Sequence, residues 1–340
     1  MSKFFFSSCL TVFTALFFCS CEKVICLPGK GELPVIPPSI STWTAIPSPT
    51  TNTLLDVRFV NANLGFISGA SGTLLKTTDG GATWNIMNTN VSTSLRSICM
   101  LNASKGFAVG DLGVILKTTD GGVTWEKTTV AGTPTLNKVY FVDDNTGFIG
   151  GLAGTFFRTT DGGTTWNSVA SGSTSSIYNI YFVDSDTGYI CGQAGYIGKS
   201  TNGGTNWTPQ SSGVGANPSD LLLNIKFTDA KHGFVIGEKI NDPIVHETYI
   251  LHTTDGGANW RRGTCPYNNI AMTGLEVVND STAYAVGGYI ATNTYYILKT
   301  TDGQNWNVES TGSNRLVSIF LMNQSSGFSV GLNGQILKGN

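Results

Sequence analysis

Every tryptophan in the chain occupies the same position of an internal repeat. The seven fall at Trp43, Trp84, Trp125, Trp166, Trp207, Trp260 and Trp306, separated by 41, 41, 41, 41, 53 and 46 residues. A repeat of this length is one supersecondary unit that must bury its apolar face against its neighbours. The unit Leu95–Trp125 aligns without gaps with Leu54–Trp84, Leu136–Trp166 and Ile177–Trp207. Its opening segment alternates apolar residues, as in Val57-x-Phe59, Ile98-x-Met100, Val139-x-Phe141 and Ile180-x-Phe182. Period-two alternation of β-branched and aromatic residues predicts a strand. A polar turn follows, then a Gly-aromatic-x-x-Gly strand, a short glycine-containing turn and a third strand such as Gly113–Lys117. Four short strands per unit, repeated about every 40 residues, predict the blades of a β-propeller.

The third and fourth strands of each unit are joined by Thr-Thr-Asp-Gly-Gly-x-Thr-Trp or a close variant. The structural pairs are Asp79 with Trp84, Asp120 with Trp125, Asp161 with Trp166, Asp255 with Trp260 and Asp302 with Trp306. Asn202 replaces the Asp before Trp207, and the turn at Asp302 is one residue shorter. An Asp side chain accepts N–H groups two residues on, which suits it to such a turn. Burying the following Trp beneath the hairpin removes roughly 150–250 Å² from water, on the order of 4–6 kcal/mol gross.

This octapeptide resembles the Asp box, or bacterial neuraminidase repeat. The longer frame, G-F-x-x-G-x-x-G-x-[IL]-x-K-T-T-D-G-G-x-T-W, resembles the repeats of the photosystem II assembly and stability factor family, over roughly Ser41 to Asn340. The resemblance implies an all-β, seven-bladed propeller and a role in assembling a membrane complex. The matching residues are the structural ones, so the photosystem itself is not implied. Six frames end in the Asp turn; a seventh begins at Leu316 and stops at Asn340 with three strands. The segment Ser41–Ile46 reads as a lone fourth strand, so the strand around Trp43 is expected to complete the last blade and close the ring. Closure removes open edge strands.

Residues 1–20 read as an export signal with a short apolar core, Phe4–Phe18. The run Phe18-Cys19-Ser20-Cys21 resembles a bacterial lipoprotein box, which implies lipidation of Cys21 and a lipid-anchored place in the cell envelope, periplasmic or surface-facing. Residues 21–40 contain Pro37-Pro38 and little periodicity and are expected to be a tether to the propeller at 41–340. Charged residues make up 12% of the chain, about half the usual share, and the net charge is −2. No run of Lys or Arg points to nucleic acid. No cysteine spacing resembles a metal site. Cys99 and Cys191 are expected to be small buried hydrophobes, while pairing of Cys26 or Cys265 is left open. No metal and no cofactor is expected.

Insertions mark where binding could reside. About eight extra residues fall between Gly237 and Asp255, and about five between Gly287 and Asp302. Both would lengthen the hairpin between second and third strands, on neighbouring blades, and build a rim. The candidate binding residues there are Glu238, Lys239, Asn241, Asp242, His246 and Glu247, with Tyr289, Asn293, Tyr295 and Tyr296. A second set, Arg58, Lys226 and Glu276, lies on the innermost strands and either meets a ligand at the axis or pairs internally.

Three functions are compatible with this reading. The favoured one is a non-catalytic, envelope-tethered monomer that binds a protein partner as an assembly factor or scaffold. Another is a glycan-binding surface lipoprotein using Tyr289, Tyr295 and Tyr296. The third is a sialidase-like glycoside hydrolase, since the Asp box recurs in sialidases. Against it, the six arginines occupy different registers of their repeats, and no set of carboxylate, Tyr and Arg converges on one face.

Overall fold

The computed structural model describes residues 40–240, 246–267 and 269–340. The expected lipidation site Cys21, the signal, and Asn241 and Asp242 lie outside these residues. The described strands form seven four-stranded antiparallel sheets, an all-β, seven-bladed propeller. Blade 1 contains Leu54–Phe59, Gly65–Gly69, Leu74–Thr77 and Asn85–Ile86. Blades 2 to 6 follow in order, with innermost strands Leu95–Met100, Leu136–Phe141, Ile177–Phe182, Asp220–Phe227 and Ala271–Val277. Blade 7 takes Leu316–Asn323, Ser326–Gly331 and Ile336–Gly339 from the C-terminus and Trp43–Ala45 from the N-terminus. Trp43 pairs with Gly339 and Ala45 with Leu337, while the Ser41 N–H donates to the Asn340 carbonyl at 2.8 Å. The ring is therefore closed by the strand around Trp43, as its spacing predicts.

The tryptophans do more than cover their own hairpins. Trp84 stands edge-on to Phe59 of its own blade and to Phe328 of blade 7, with centroids 5.7 and 6.2 Å apart. Trp166 meets Phe141 and the preceding blade's Phe107 in the same way, and Trp207 meets Phe182 and Phe148. Each Trp is thus a wedge across a blade boundary. The preceding blade's aromatic is also covered by a cation of its own third strand. Lys338 lies over Phe328, Lys117 over Phe107 and Arg158 over Phe148, all at 5.7–5.8 Å. On the next blade it meets the second glycine of the Asp turn. A Cβ on Gly81, Gly163 or Gly204 would come within 2.4 Å of Phe328, Phe107 or Phe148 respectively. This glycine is required twice, by a positive φ and by the ring beneath it.

The Asp turns are held by side chains. Asp79 Oδ1 accepts the Thr77 hydroxyl at 2.7 Å and the Thr83 N–H at 2.9 Å, and Oδ2 accepts the Thr83 hydroxyl at 2.6 Å. The carboxylate therefore reaches four residues on, not two. Only the shorter turn at Asp302 bonds an N–H two residues on, that of Gln304. Asn202 reproduces the cap with its amide oxygen, accepting the Asn206 N–H and the Ser200 hydroxyl at 3.0 Å. Cys99 and Cys191 are packed in the core, and Cys265 is half-buried; among the described residues none of the three is joined in a disulfide.

These caps make stability depend on acid. Hydrogen bonds, first from the Thr hydroxyl four residues on, lower Asp79, Asp120 and Asp255 from 3.8 to about 2; in Asp255 the amide of Asn259 takes that place. A carboxylate with a depressed folded value stabilises the fold above its unfolded value and loses that contribution as pH falls through the folded one. The melting temperature is expected to be flat above about pH 4 and to fall toward pH 2. Replacing Asp79, Asp120 and Asp255 by Asn, which caps the turn at 202, should flatten the decline in a calorimetric pH series. An unchanged acid limb would show that these turns do not set it.

Candidate functional site at the ring axis

All seven innermost strands carry the same irregularity. Pairing with the second strand slips by one residue at Leu54/Asp56, Leu95/Ser97, Leu136/Lys138 and the equivalent place in each other blade. A bulge adds one residue and changes the direction of the side chains beside it. It lets Leu54 join Val57 and Phe59 in a single core layer, which strict alternation forbids. In six of the seven inner strands it also gives a polar position, occupied by Asp56, Ser97, Lys138, Asn179, Asn224 and Ser318, with Gly274 in the sixth blade.

Asp56 is the hub of the resulting network. Its Oδ2 accepts the Ser97 hydroxyl at 3.0 Å and the Ile98 N–H at 3.3 Å from blade 2, and its Oδ1 accepts the Ser318 hydroxyl at 3.2 Å from blade 7. Arg58 and, from blade 3, Lys138 approach the same carboxylate at 3.4 and 3.6 Å. Across the axis, Lys226 donates to Glu276 at 2.8 Å, and Arg58 reaches that same Oε1 at 3.6 Å. Burial pushes the Asp56 carboxyl up, but Lys138, Arg58, the Ile98 N–H and the Ser97 hydroxyl outweigh it and hold it below the usual carboxylate range. A carboxylate moved in that direction is unsuited to act as a general acid.

Above this charged floor lies a cavity of about 920 Å³. Its walls include Phe59, Tyr140, Tyr181, Phe227, Phe320 and Met322. Tyr181 donates its hydroxyl to the Phe227 carbonyl at 2.7 Å, and Tyr140 to that of Phe182 at 3.3 Å. Both rings are pinned by the next blade and line the cavity. The volume lies within the range of ligand pockets. The mouth is formed by the turns after the innermost strands, on the face that carries the Asp turns.

The sequence-predicted residues separate into two groups. Arg58, Lys226 and Glu276 come together at the cavity floor, where they pair with one another and with Asp56. The lengthened hairpins stand on the opposite face, pairing Lys239 with Glu247, Ile240 with His246, and Tyr289 with Thr294. Within them Glu238 and His246 are buried and bonded at 2.5 Å, while Glu247 pairs with Arg262 at 2.7 Å. Tyr295 is in the core with its hydroxyl on Ser310, and Tyr296 leans on Tyr267. Tyr289 is half-buried, and Asn293 takes φ 51° at its hairpin turn and accepts the Arg315 N–H at 3.0 Å.

Asp56 and Lys138 are functional candidates that the sequence reading passed over. Their signal is a charge at the bulge position of a buried strand, two residues before the position that was considered. The structure also gathers His232 with Asp229 and Asp280, whose ligand atoms lie within 4.8 Å of one another beside the cavity mouth. His232 Nδ1 is 3.0 Å from Asp229 and 3.6 Å from Asp280. Sequence spacing gave no hint of this, because Asp280 comes from the next blade.

These features define a seven-bladed propeller with one aromatic-walled, ion-floored cavity on its axis. The chain belongs to the family described as photosynthesis system II assembly factor YCF48, whose model matches residues 37–134, 129–210 and 165–266. No curated protein matches it. Among solved structures, YCF48 bound to D1 peptide is 22% identical with a TM-score of 0.69, covering 91% of this chain and 99% of that one. YCF48 from Cyanidioschyzon merolae is 18% identical with a TM-score of 0.67, covering 88% and 98%. The GH74 enzyme of Niastella koreensis is 17% identical with a TM-score of 0.71, covering 87% of this chain and 53% of that one. At these identities the likeness is one of fold.

Removing one member of the axial network should strand its partners. Asp56→Asn is expected to cost about 3 kcal/mol in urea unfolding, and adding Lys138→Met should recover part of it. A loss below about 0.5 kcal/mol would mean that these ions are solvated rather than paired.

Proposed function

We propose that this protein is a non-catalytic propeller that binds a peptide segment of a protein partner during assembly of a membrane complex. The observation that carries this reading is the axial cavity: aromatic walls fixed by inter-blade hydrogen bonds, above a paired network in which Arg58, Lys138 and Lys226 share the carboxylates of Asp56 and Glu276. Such a site offers shape and apolar contact to a segment while keeping its ions out of chemistry. Membership of an assembly-factor family supports it, as does a solved family structure that holds a peptide. Export and lipid anchoring at Cys21 complete the proposal. The chain enters the ring beside Asn340, on the face where the cavity opens, so a tether would leave from the binding face. The lengthened hairpins, with Lys239, Glu247 and Tyr289, would then face away and offer a second contact.

Cross-linking the tagged full chain in its native envelope tests this. One protein recovered near stoichiometry, lost on Phe320→Ala and kept on Glu247→Ala, is the expected result. Recovery lost only when the hairpin is changed would move the site to the opposite face. Absence of any stoichiometric protein would count against a protein partner and favour glycan, which a glycan array would reveal.

A further inference from the structure

The turns around the cavity mouth are built alike but charged unequally. The residue two places after Phe59, and after its equivalent in each other blade, caps its own turn. Asn61 accepts the N–H groups of Asn63 and Leu64 at 2.9 Å, and Asn102 those of Ser104 and Lys105 at 2.9 and 2.8 Å. Asp143, Asp184 and Asp229 make the same pair of bonds at 2.6–2.8 Å. Asn279 does so in blade 6, and Asn323 makes the first of them in blade 7. Asparagine therefore meets the requirement of the turn. The charge at 143, 184 and 229, on three consecutive blades, exceeds what the turn requires, although Asp229 also pairs with His232 at 3.0 Å.

Three more carboxylates extend this half of the mouth. Asp144, Asp186 and Asp280 are exposed and lie in the same turns of blades 3, 4 and 6. In the turns of blades 3 to 6 these six face one lysine, Lys231, and His232, which is held between Asp229 and Asp280. The corresponding turns of blades 7, 1 and 2 contain no carboxylate. Asp184 and Asp229 line the cavity itself, opposite Asn61 and Asn323. The mouth is thus an acidic crescent facing an amide arc that holds one cation, Lys105, whose ammonium donates to the Asp144 carbonyl at 3.0 Å, with an aromatic-walled well between them.

We propose that this mouth receives a basic, extended peptide segment, its Lys or Arg side chains on the crescent and an aromatic side chain in the well. This rests on the reading of the cavity as a peptide site and specifies the chemistry of the partner. Charge complementarity of this kind steers association and fixes orientation. The aromatic side chain would stack between Tyr140, Tyr181 and Phe320, its polar edge toward the ion pairs of the floor.

Fluorescence anisotropy with two labelled peptides tests it, one with a central tyrosine flanked by lysines and one with the same tyrosine flanked by glutamates. The lysine-flanked peptide should bind at least about tenfold more tightly and weaken with added salt. The variant Asp143→Asn/Asp184→Asn keeps both caps and leaves the Asp229–His232 pair in place, so its melting temperature above pH 5 should shift by no more than a few degrees while its affinity falls about fivefold. Equal binding of both peptides, or an unaltered affinity in that variant, would overturn the proposal. Preference for the glutamate-flanked peptide would overturn the charge assignment and leave the peptide site standing. Binding of neither would remove both.

Discussion

The ring depends on one contact repeated around it: an aromatic residue of each second strand held at the boundary with the next blade. For Phe148 the cover on its own side is Arg158, and on the other side it is Gly204 and Trp207. Phe107 and Phe328 are held in the same way, and Tyr189 adds a hydrogen bond from its hydroxyl to the Gly256 carbonyl at 2.9 Å. The lysines contribute as well, Lys76 donating to Gly121 and Lys199 to Gly256 at 2.7 and 2.8 Å. The Asp cap, the paired glycines and the tryptophan of one turn therefore serve the preceding blade as much as their own. Blade 5 varies the chemistry and keeps the geometry. His252 takes the cation's position, its ring tilted by 30° over Phe234 with centroids 4.6 Å apart, and packs beneath Gly303.

This dependence explains which parts of the molecule were legible in the sequence. Trp spacing, the Gly-aromatic pattern and the Asp turn are each dictated by a local conformation and a neighbour at fixed distance in the chain, so they recur visibly. Blade count and closure by Trp43 followed from them. The role of the second turn glycine did not, because the ring it accommodates belongs to the previous blade. The axial site was half legible. Arg58, Lys226 and Glu276 stood out as charges in apolar strands, but Asp56 and Lys138 were hidden by the bulge, which breaks the alternation on which strand reading relies. The group at Asp229, His232 and Asp280 depends on two blades meeting, and no spacing within one repeat encodes that.

The two faces of the ring differ in what they can offer. On the hairpin face, the insertions that drew notice in the sequence spend much of their polarity internally: Glu238 on His246, Glu247 on Arg262, Tyr295 on Ser310. On the Asp-turn face, the turns are short and regular, yet they surround the axial cavity and carry charge beyond what their caps need. The repeat supplies rigidity without designating a site, and small departures within it, an Asp where Asn serves elsewhere, distinguish one sector of the mouth from another. Charge held on such pre-formed turns requires little reordering when a partner binds.

The inter-blade aromatic contact is the premise of this account, and a double-mutant cycle measures it directly. Phe148→Leu and Trp207→Phe, alone and together, should show a coupling of about 1 kcal/mol in chemical unfolding. Phe148→Leu with Trp306→Phe, whose partners lie two blades on, should be additive within about 0.5 kcal/mol. Additivity of the first pair would contradict the account, since it would place the tryptophan's contribution wholly within its own blade.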